Sequence, residues 1–344
     1  MGLKLDEIIE RTNKSAKETI ITKGLPEYEY TRIPFTSPRM NYITYGGIPT
    51  GRLIELFGEE GGGKTTTALD IVANFQKMFP DKDVVYADLE NTLDVEWARK
   101  IGVDVDRITL LQPKVQPAED IFQILLEITE TGEVGLWVVD SVPCLVSKDD
   151  LEKDLTDSAR VAGISGILTR FLRTVVGPCA KNNCTGIFIN QIRDKLNSPV
   201  PMSSTPGGKA LKHFCTIRME FRKGSYIDEK GKTLSRSSGE PNSQHIMVNM
   251  VKTKSCRPSR HVGYYTINYD KGIDYISDLI EMAIQFDIIS QSGSWFKIID
   301  VETGEVLKEK LHGQSDITNF LLDEKNEETL NRIEELIDAF LQEE

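Results

Sequence analysis

The sequence predicts an α/β fold on a mostly parallel central sheet, with a short N-terminal arm and a small α+β C-terminal domain. Strand-like apolar segments alternate with helical ones between residues 53 and 191, as in α/β domains. Residues 136–140 and 186–191 are almost continuously apolar, which is typical of strands buried on both faces of a parallel sheet. Residues 58–65 fit the phosphate-loop pattern G-x-x-x-x-G-K-[ST] and lie between a strand and a helix.

Hydrophobic periodicity predicts the elements in chain order. The N-terminal segment is predicted to be a helix with Leu5, Ile8 and Ile9 on one face, followed by a strand-like piece at 18–21 and a turn-rich stretch at 24–51. The core then alternates strand 53–57, helix 66–75, strand 84–88, helix 94–101, strand 108–111, helix 118–129, strand 136–140, helix 159–176 and strand 186–191.

The chain changes character after residue 191, where polar residues and two-residue alternation replace the apolar runs. The predicted segments are a long polar loop (192–208), two antiparallel strands (217–221 and 245–251) around a polar excursion (223–244, with its turn at 228–231), a last core strand (264–269), a short strand (295–299) and a closing helix with Leu330, Ile333, Ile337, Phe340 and Leu341 at helical spacing. We see no internal repeat.

Three regions are expected from this pattern. Residues 1–38 form a helix and strand arm, residues 39–270 form the core, and residues 271–344 form a C-terminal domain with an acidic tail. A short arm before a compact core has few partners of its own. Docking on a neighbouring subunit and packing on its own core both fit the pattern.

The net charge of −12 argues against a protein that coats nucleic acid with its whole surface. The charge is uneven, because residues 192–223 carry seven basic and two acidic side chains, whereas residues 323–344 carry nine acidic and two basic ones. A basic loop region with an acidic tail is compatible with a regulated DNA binder. It is equally compatible with ordinary solvated faces.

The five cysteines form no C-x-x-C pair, which is typical of reduced thiols in a cytosolic protein. No apolar run is long enough to cross a membrane, and the first residues lack the apolar core of a signal peptide. We therefore expect a cytoplasmic protein, in the host cytoplasm if it is phage-encoded, with no membrane partner.

The phosphate loop predicts a nucleotide site. Its backbone N–H groups and the following helix N-terminus favour phosphate oxygens. Lys64 would reach the β- and γ-phosphates, and Thr65 would ligate Mg²⁺. The alternative is a glycine-rich turn that binds nothing. The candidate ATP-binding residues here are Gly58, Glu59, Glu60, Gly61, Gly62, Gly63, Lys64, Thr65 and Thr66.

Three polar residues at strand ends could complete the chemistry. Asp140 ends a buried strand, where a carboxylate holds Mg²⁺ against the phosphates. Glu90 is the candidate general base, with Asp88 as the second choice and a helix-capping or salt-bridging acid as the alternative. Gln191 could sense the γ-phosphate, or it is a buried amide that satisfies backbone groups.

From about residue 16 to the C-terminus the chain resembles the RecA family of homologous recombinases. Residues 86–94 resemble the family segment with the catalytic glutamate, residues 138–142 its metal-binding strand, and residues 206–212 the end of its second DNA-binding loop. Residues 188–193, Phe-Ile-Asn-Gln-Ile-Arg, are a highly specific family string. The resemblance implies a RecA-like phosphate-loop ATPase core.

The resemblance also implies roles for individual residues. Glu90 would be catalytic, Gln191 would couple ATP to DNA binding, and Lys252 and Lys254 would reach ATP bound to the adjacent protomer. Asp94, Trp97 and Tyr269 would contact the nucleotide, with Trp97 where the family usually has a tyrosine. The DNA loops would span about 149–158 and 192–208, and the implied DNA-binding residues are Ser158, Arg160, Arg173, Ile192, Arg193, Lys195, Asn197, Ser204, Thr205, Gly207, Gly208 and Lys209.

The function that this implies is an ATP- and Mg²⁺-dependent recombinase that hydrolyses ATP at protomer interfaces. Its partners would be single-stranded and double-stranded DNA, further copies of itself in a helical filament, and candidate single-strand-binding and loader proteins. A non-catalytic regulatory relative is disfavoured by intact Lys64, Glu90 and Asp140. A helicase-type motor is disfavoured by the string around Gln191 and by the lysine pair.

Some residues depart from the family pattern. Residues 59–62 read Glu-Glu-Gly-Gly where bacterial members typically have Pro-Glu-Ser-Ser, and His213 stands at an interface position usually held by phenylalanine. The first DNA loop is rich in acids, among them Asp149 and Asp150. These departures favour a divergent copy, of the kind carried by a phage or another mobile element.

Overall fold

The computed structural model describes residues 4–16, 21–23, 31–112, 116–152, 163–194, 203–228, 233–234 and 239–342. It divides into two compact units, Met1–Thr31 and Arg32–Glu344. In the first unit, helix α1 (Leu5–Ala16) buries none of its residues. The Asn13 side chain donates to the carbonyl of Ile21 at 2.8 Å and accepts from its N–H at 2.9 Å. The predicted strand-like piece at 18–21 lies mostly outside the described residues.

The second unit contains the remaining elements. Its helices are α2 (Pro38–Thr44), α3 (Lys64–Met78), α4 (Val95–Ile101), α5 (Ala118–Thr131), α6 (Lys148–Leu151), α7 (Gly163–Asn182), α8 (Ala210–Phe214), α9 (Tyr275–Gln285), α10 (Gly313–Leu322) and α11 (Glu327–Gln342). Its strands are β1 (Arg32–Ile33), β2 (Ile48–Pro49), β3 (Leu53–Gly58), β4 (Asp83–Asp88), β5 (Ile108–Leu111), β6 (Val134–Asp140), β7 (Thr185–Gln191), β8 (Arg193–Asp194), β9 (Ser203–Ser204), β10 (Ile217–Ile227), β11 (Thr233–Leu234), β12 (Ser243–Thr253), β13 (Val262–Asn268), β14 (Gly272–Ile273), β15 (Ile289–Ser292), β16 (Trp295–Ile299) and β17 (Val306–His312).

Among the described strands, ten form one sheet in the order β14-β13-β12-β10-β3-β7-β6-β4-β5, with β11 paired to β10. The strands from β10 to β5 in this order are parallel, and β12, β13 and β14 continue the sheet antiparallel. Every residue of β3 and β6 is buried, because helices cover both faces of the sheet. The predicted α/β fold with a mostly parallel sheet is confirmed.

Two apolar clusters lie on the two faces of this sheet. One contains buried residues of α3, such as Ile71 and Val72, together with Ile54 and Leu56 of β3. The other contains Leu125 of α5, Leu172 of α7, and the opposite side of the strands. Alternate residues of one strand therefore serve different clusters, which fixes its register in the sheet.

Several predicted elements begin or end at other residues in the structure. Helix α3 begins at Lys64 and runs to Met78 instead of spanning 66–75. Helix α7 continues through Gly177 and Pro178, because Val175 and Cys179 are buried against the sheet there. The predicted strand 264–269 ends at Asn268 and is followed in the same sheet by β14, so it is not the last core strand.

The polar stretches after residue 191 contain more strand than predicted. Tyr226 pairs with Gln244 across β10 and β12, so both ends of the predicted 223–244 excursion belong to the ladder. Its predicted turn lies mostly outside the described residues. In the predicted loop 192–208, β8 pairs antiparallel with β9. Backbone pairing holds these segments where no hydrophobic pattern indicates a strand.

Residues 275–342 have their own apolar cluster. It joins α9, α10 and α11 to a three-stranded antiparallel sheet, β15-β16-β17, through residues such as Leu279, Phe296 and Ile337. The predicted strand at 295–299 and the predicted closing helix are both present. In the part of the chain that the structure describes, no helix has both the length and the apolar character needed to span a bilayer.

Candidate nucleotide-binding and DNA-binding sites

The phosphate loop joins the end of β3 to the start of α3. The backbone geometry requires glycine at two of its positions. A Cβ at Gly58 would lie 2.0 Å from the carbonyl oxygen of Phe221, and Gly63 caps α3 with a φ of 85°. The first turn of α3 therefore points its N–H groups toward the space above the loop.

A pocket of about 310 Å³ opens above this loop. Eight of the predicted ATP-binding residues line it: Gly61, Gly62, Gly63, Lys64, Thr65, Thr66, Trp97 and Tyr269. Gln244 and Ile267, which were not predicted, also line it. The phosphate loop and the two predicted aromatic contacts thus border a single cavity.

Four other predicted nucleotide residues lie outside that lining. Gly58 is the buried end of β3, and Glu59 and Glu60 are exposed on the loop. Asp94 caps α4, where its side chain accepts from the N–H groups of Glu96 and Trp97 at 2.9 and 3.0 Å. Asp94 therefore positions Trp97, whose indole N–H donates to the Thr66 hydroxyl at 3.2 Å.

Lys64 is buried beneath the loop. Its ammonium group donates to the carbonyls of Gly58 at 3.2 Å and Glu59 at 2.6 Å. Burial lowers the pKa of Lys64, and the nearby carboxylates of Asp140 and Glu90 act against this shift. A bound phosphate group would be a further anion that favours the charged form of Lys64.

The predicted metal ligands are in contact. One carboxylate oxygen of Asp140 accepts from the Thr65 hydroxyl at 3.0 Å and from the Tyr86 hydroxyl at 2.8 Å. Burial raises the pKa of Asp140, and these two hydrogen bonds oppose the shift. A carboxylate and a hydroxyl beside a phosphate loop are the hard oxygen donors that suit Mg²⁺.

Glu90 lies at the same edge of the sheet. Its carboxylate accepts a hydrogen bond from the hydroxyl of Ser141, the residue after Asp140. The peptide bond between Asp140 and Ser141 is cis. The side chain of Glu90 is half-buried, so it is oriented by Ser141 while it remains accessible to a water molecule.

Asp88, the second choice for the general base, has a different environment. It is 1% exposed and accepts from the N–H groups of Thr92 and Leu93 and from the Gln112 amide, at 2.9 to 3.2 Å. These donors use the oxygens that a general base would need. Asp88 instead holds the turn that carries Glu90, which favours Glu90 as the base.

Gln191 ends β7 directly beside Gly58 in the sheet register. The next residue, Ile192, donates its N–H to the carbonyl of Gly58 at 3.3 Å. One residue earlier, the Asn190 amide donates to Glu55 of β3 and to the carbonyl of Pro206, both at 3.0 Å. The end of β7 is therefore bonded both to the phosphate loop and to the end of the second predicted DNA loop.

The acceptor Glu55 is fully buried and also pairs with Arg218 of β10 at 2.5 Å. The guanidinium of Arg218 lies over the ring of Phe57 at 4.5 Å. A buried charge pair of this kind needs further hydrogen bonds, and Asn190 supplies one. We call Glu55, Asn190 and Arg218 the central triad.

The predicted DNA-binding residues are only partly described. Ser158, Arg160, Lys195 and Asn197 lie outside the described residues, as does the first loop beyond Glu152. Arg193 and Ser204 lie on the paired strands β8 and β9. Arg173 is exposed on α7, and Ile192 is half-buried.

The end of the second loop is a tight turn. Thr205 is buried, and its hydroxyl has no hydrogen-bond partner among the described residues. Gly207 and Gly208 have φ values of 87° and 74°, and a Cβ at Gly208 would lie 2.6 Å from the Ser165 hydroxyl of α7. Lys209 is exposed at the start of α8.

Lys252 and Lys254 lie near the N-terminal ends of β3 and β10, whereas the phosphate loop follows the C-terminal end of β3. Lys252 lies within β12, not after it, and pairs with Arg218 in the row that contains Glu55. That row is about 10 Å along the strands from Gly58. The ammonium group of Lys252 donates to the carbonyls of Lys212 and His213 at 2.6 and 3.0 Å, and the ammonium group of Lys254 donates to the carbonyl of His213 at 3.4 Å.

A second cavity, of about 360 Å³, lies at this edge, and its lining includes Arg52, His213 and Lys254. Burial and the neighbouring charge of Lys254 lower the pKa of Lys252. Neither lysine reaches the phosphate loop of its own chain. We call this the lysine edge, and we call the opposite side, with Lys64, Asp140 and Glu90, the phosphate edge.

Some residues at the phosphate edge could not be found from motifs. Tyr265, a buried residue of β13, hydrogen-bonds the Thr67 hydroxyl at 2.5 Å and so braces the first turn of α3. Lys223 approaches from β10, where its ammonium nitrogen would lie 3.1 Å from a Cβ on Gly61. Tyr86 could have been found from the sequence, because residues two apart on a strand face the same side of the sheet and Tyr86 lies two residues before Asp88.

The chain is similar to known proteins over most of its length. The family model described as the RecA N-terminal domain matches residues 6–274. Protein RecA of Aquifex aeolicus is 35% identical over 306 residues, which cover 88% of this chain and 83% of that protein. Protein RecA of Mesoplasma florum is 34% identical over 304 residues, covering 87% and 84%, and that of Clostridioides difficile is 34% identical over 303 residues, covering 87% and 79%.

Proposed function

The chain belongs to the RecA family, and from this premise we propose that it is an ATP-dependent recombinase. It would assemble on single-stranded DNA and carry out homologous pairing and strand exchange. The observation that carries the proposal is the contact of Thr65 with Asp140 at 3.0 Å above the phosphate loop, with Glu90 bonded to the next residue. This arrangement supports hydrolysis of a nucleoside triphosphate and not only its binding.

The phosphate edge supplies binding and proton transfer. The N–H groups of the loop and the ammonium of Lys64 would hold the β- and γ-phosphates. Thr65 and Asp140 would hold Mg²⁺, which neutralises phosphate charge when bound. Glu90, oriented by the Ser141 hydroxyl, would orient and deprotonate the attacking water.

The coupling to DNA would run through the end of β7. Gln191 lies beside Gly58, and Asn190 is bonded to the carbonyl of Pro206 in the second predicted DNA loop. A shift of the phosphate loop would therefore reach that loop through two adjacent residues. This supports Gln191 as the sensor that makes DNA binding depend on ATP.

DNA would be held without base-specific contacts. The second predicted loop ends in a glycine turn and in exposed Lys209, which suit backbone phosphates and not base edges. Single-stranded DNA would bind in a manner sensitive to salt, because counterions are released. Double-stranded DNA would be the homologous partner.

Self-association would complete each ATP site. Lys252 lies about 10 Å along the strands from the loop of its own chain, and Lys254 follows the end of β12 further from that loop, so both would be available to a nucleotide on an adjacent copy. Cations supplied in trans stabilise the charge of the transferring phosphoryl group. A filament with ATP between its protomers is the assembly that this arrangement supports.

ATP turnover, measured with and without single-stranded DNA over a range of protein concentrations, tests the proposal. We expect turnover to rise with DNA of any sequence and more steeply than linearly with protein. A strand-exchange assay on homologous and heterologous DNA then separates a recombinase from a helicase-type motor. ATP binding without turnover, or turnover without homologous pairing, would contradict the proposal.

A further inference from the structure

Gln244 is a polar residue of the phosphate-edge pocket that no sequence motif covers. It lies on β12 directly opposite Ile267 of β13, and both line the pocket. Only 5% of Gln244 is exposed. Its side-chain oxygen accepts from the Tyr269 hydroxyl at 3.1 Å, whereas its buried amide nitrogen has no hydrogen-bond partner among the described residues.

The contact with Tyr269 fixes which way the amide faces. The Tyr269 hydroxyl donates to the Gln244 side-chain oxygen, so the oxygen of the amide faces Tyr269. The amide NH₂ group is then the free end of the side chain. A buried NH₂ group without an acceptor is unfavourable, and nearly all buried polar groups in proteins have a partner.

The position of Gln244 in the pocket identifies which part of a nucleotide it meets. Phosphates belong at the loop and the first turn of α3, residues 61–66. Trp97, Ile267 and Tyr269 line the rest of the cavity and offer aromatic and apolar surface. Flat aromatic groups pack on such surface, so this part suits the base. Gln244 is on the same strand pair as Ile267 and faces the same space.

We propose that Gln244 selects the base of the bound nucleotide by donating a hydrogen bond from its amide NH₂ to an unprotonated ring nitrogen of adenine. This inference rests on the proposed function, in which the pocket takes ATP. Adenine suits a donor because its ring nitrogens N1, N3 and N7 all accept. Guanine carries a proton on N1 and an amino group beside it, so part of its edge would oppose the NH₂ group.

The first test compares variants of Gln244 by calorimetric titration with Mg²⁺ and ATP, or with Mg²⁺ and inorganic triphosphate. Gln244→Glu keeps the acceptor for Tyr269 but removes the donor, and Gln244→Met removes both without adding charge. We expect either change to weaken ATP binding about tenfold or more. Triphosphate binding should change less than about twofold, because triphosphate has no base. Gln314→Glu, the same substitution on an exposed position of α10, is the matched control.

A second test begins with the unaltered protein and then repeats the measurement in Gln244→Met. ATP is compared with its 1-deaza, 3-deaza and 7-deaza analogues, each of which lacks one ring nitrogen. One analogue should lose about the same factor as Gln244→Met, and that loss should vanish in the Gln244→Met background. The preference of the unaltered protein for ATP over GTP should also narrow in Gln244→Met.

The outcomes separate this inference from the proposed function. If the unaltered protein binds no ATP, both fail. If it binds ATP and the Gln244 variants bind it equally well, only the role of Gln244 fails. Equal weakening of ATP and triphosphate would also overturn it, because the substitution would then have disturbed the loop. Full affinity for all three deaza analogues would exclude a ring nitrogen as the acceptor.

Discussion

The phosphate edge and the lysine edge carry complementary charge. At the phosphate edge, the carboxylates of Asp140 and Glu90 act on the ammonium group of Lys64, which is bonded to the loop carbonyls. At the lysine edge, the ammonium groups of Lys252 and Lys254 are bonded to backbone carbonyls, and His213 and Arg52 line the cavity beside Lys254. In the proposed function, a nucleoside triphosphate would use the oxygen ligands and base of the first edge and the cations of the second edge on an adjacent copy. The difference in charge is what that proposal requires.

The largest effect is expected from Lys64→Ala, which removes the only cation of the predicted nucleotide set from the phosphate edge. ATP binding should be lost, and turnover should fall by about a thousandfold or more. Equilibrium binding of ATP and steady-state hydrolysis measure this. Lys77→Ala, an exposed lysine on the same helix, is the control and should behave like the unaltered protein. Unchanged affinity in Lys64→Ala would contradict the phosphate-loop interpretation.

Glu90→Gln tests the acidic half of the comparison. It keeps the size of the side chain and an acceptor for the Ser141 hydroxyl, but it removes the base. ATP binding should persist while hydrolysis slows by about two to four orders of magnitude. Single-turnover kinetics measure the step. Asp88→Asn is the comparison, because it should lower stability more than chemistry. A near-normal rate of hydrolysis in Glu90→Gln would show that another residue is the general base.

Removing both lysines of the lysine edge tests the cationic half. Lys252→Ala/Lys254→Ala should bind ATP but hydrolyse it about a hundredfold more slowly, because the developing phosphate charge loses its cations. Lys308→Ala/Lys310→Ala, an exposed pair with the same spacing on β17, is the matched control.

Mixing the two kinds of variant then decides whether the edges belong to one site. The Lys64→Ala protein has an intact lysine edge, and the Lys252→Ala/Lys254→Ala protein has an intact phosphate edge. If adjacent copies share a site, the mixture should recover part of the turnover. Turnover no greater than the sum of the separate proteins would show that each edge acts alone.

A smaller effect, on stability and not on turnover, is expected from a buried carboxylate that belongs to neither edge. Asp278 of α9 is buried, accepts from the N–H of Arg39 and the hydroxyl of Ser37, and its burial raises its pKa to about 7. Between about pH 4 and pH 7 the folded state keeps a proton that the unfolded state has released. The free energy of unfolding should therefore fall by about 2–4 kcal/mol as pH rises through this window.

Asp278→Asn should lose this part of the pH dependence, because its side chain stays neutral. Urea unfolding at several pH values measures the difference between the two proteins. Turnover per folded molecule should be unchanged, in contrast to every substitution at the two edges. The same slope in both proteins would mean that Asp278 is ionised in the folded state throughout.

The sequence predicted those parts of the site that depend on local order. Lys64 and Thr65 follow from spacing within one loop, and Asp140 and Glu90 follow from their places after buried strands. Gln244 and Tyr265 could not be predicted in this way. The pairing of β12 with β13 places them beside the phosphate loop, and the register between two strands cannot be derived from the pattern of a single sequence.

The same limit explains the errors in the fold. The ends of β10 and β12 are polar, so alternation fades although the ladder continues to Ile227 and Ser243. Asp94 caps α4 with one of its two carboxylate oxygens, and its contact with the nucleotide stays a prediction. The extent of the three predicted regions, including a boundary near residue 271, stays a prediction.

The central triad has a consequence for how this chain can vary. The amide of Asn190 is shared between Glu55 and Pro206, while Arg218 neutralises Glu55 in a place that water does not reach. No single replacement at position 190 offers two such hydrogens at the same length. A substitution at position 190 would remove the hydrogen bonds to β3 and to the end of the second predicted DNA loop together. A genetic screen for variants in which DNA binding no longer depends on ATP should therefore yield substitutions at this position. Arg218 and Glu55 would have to change together or not at all.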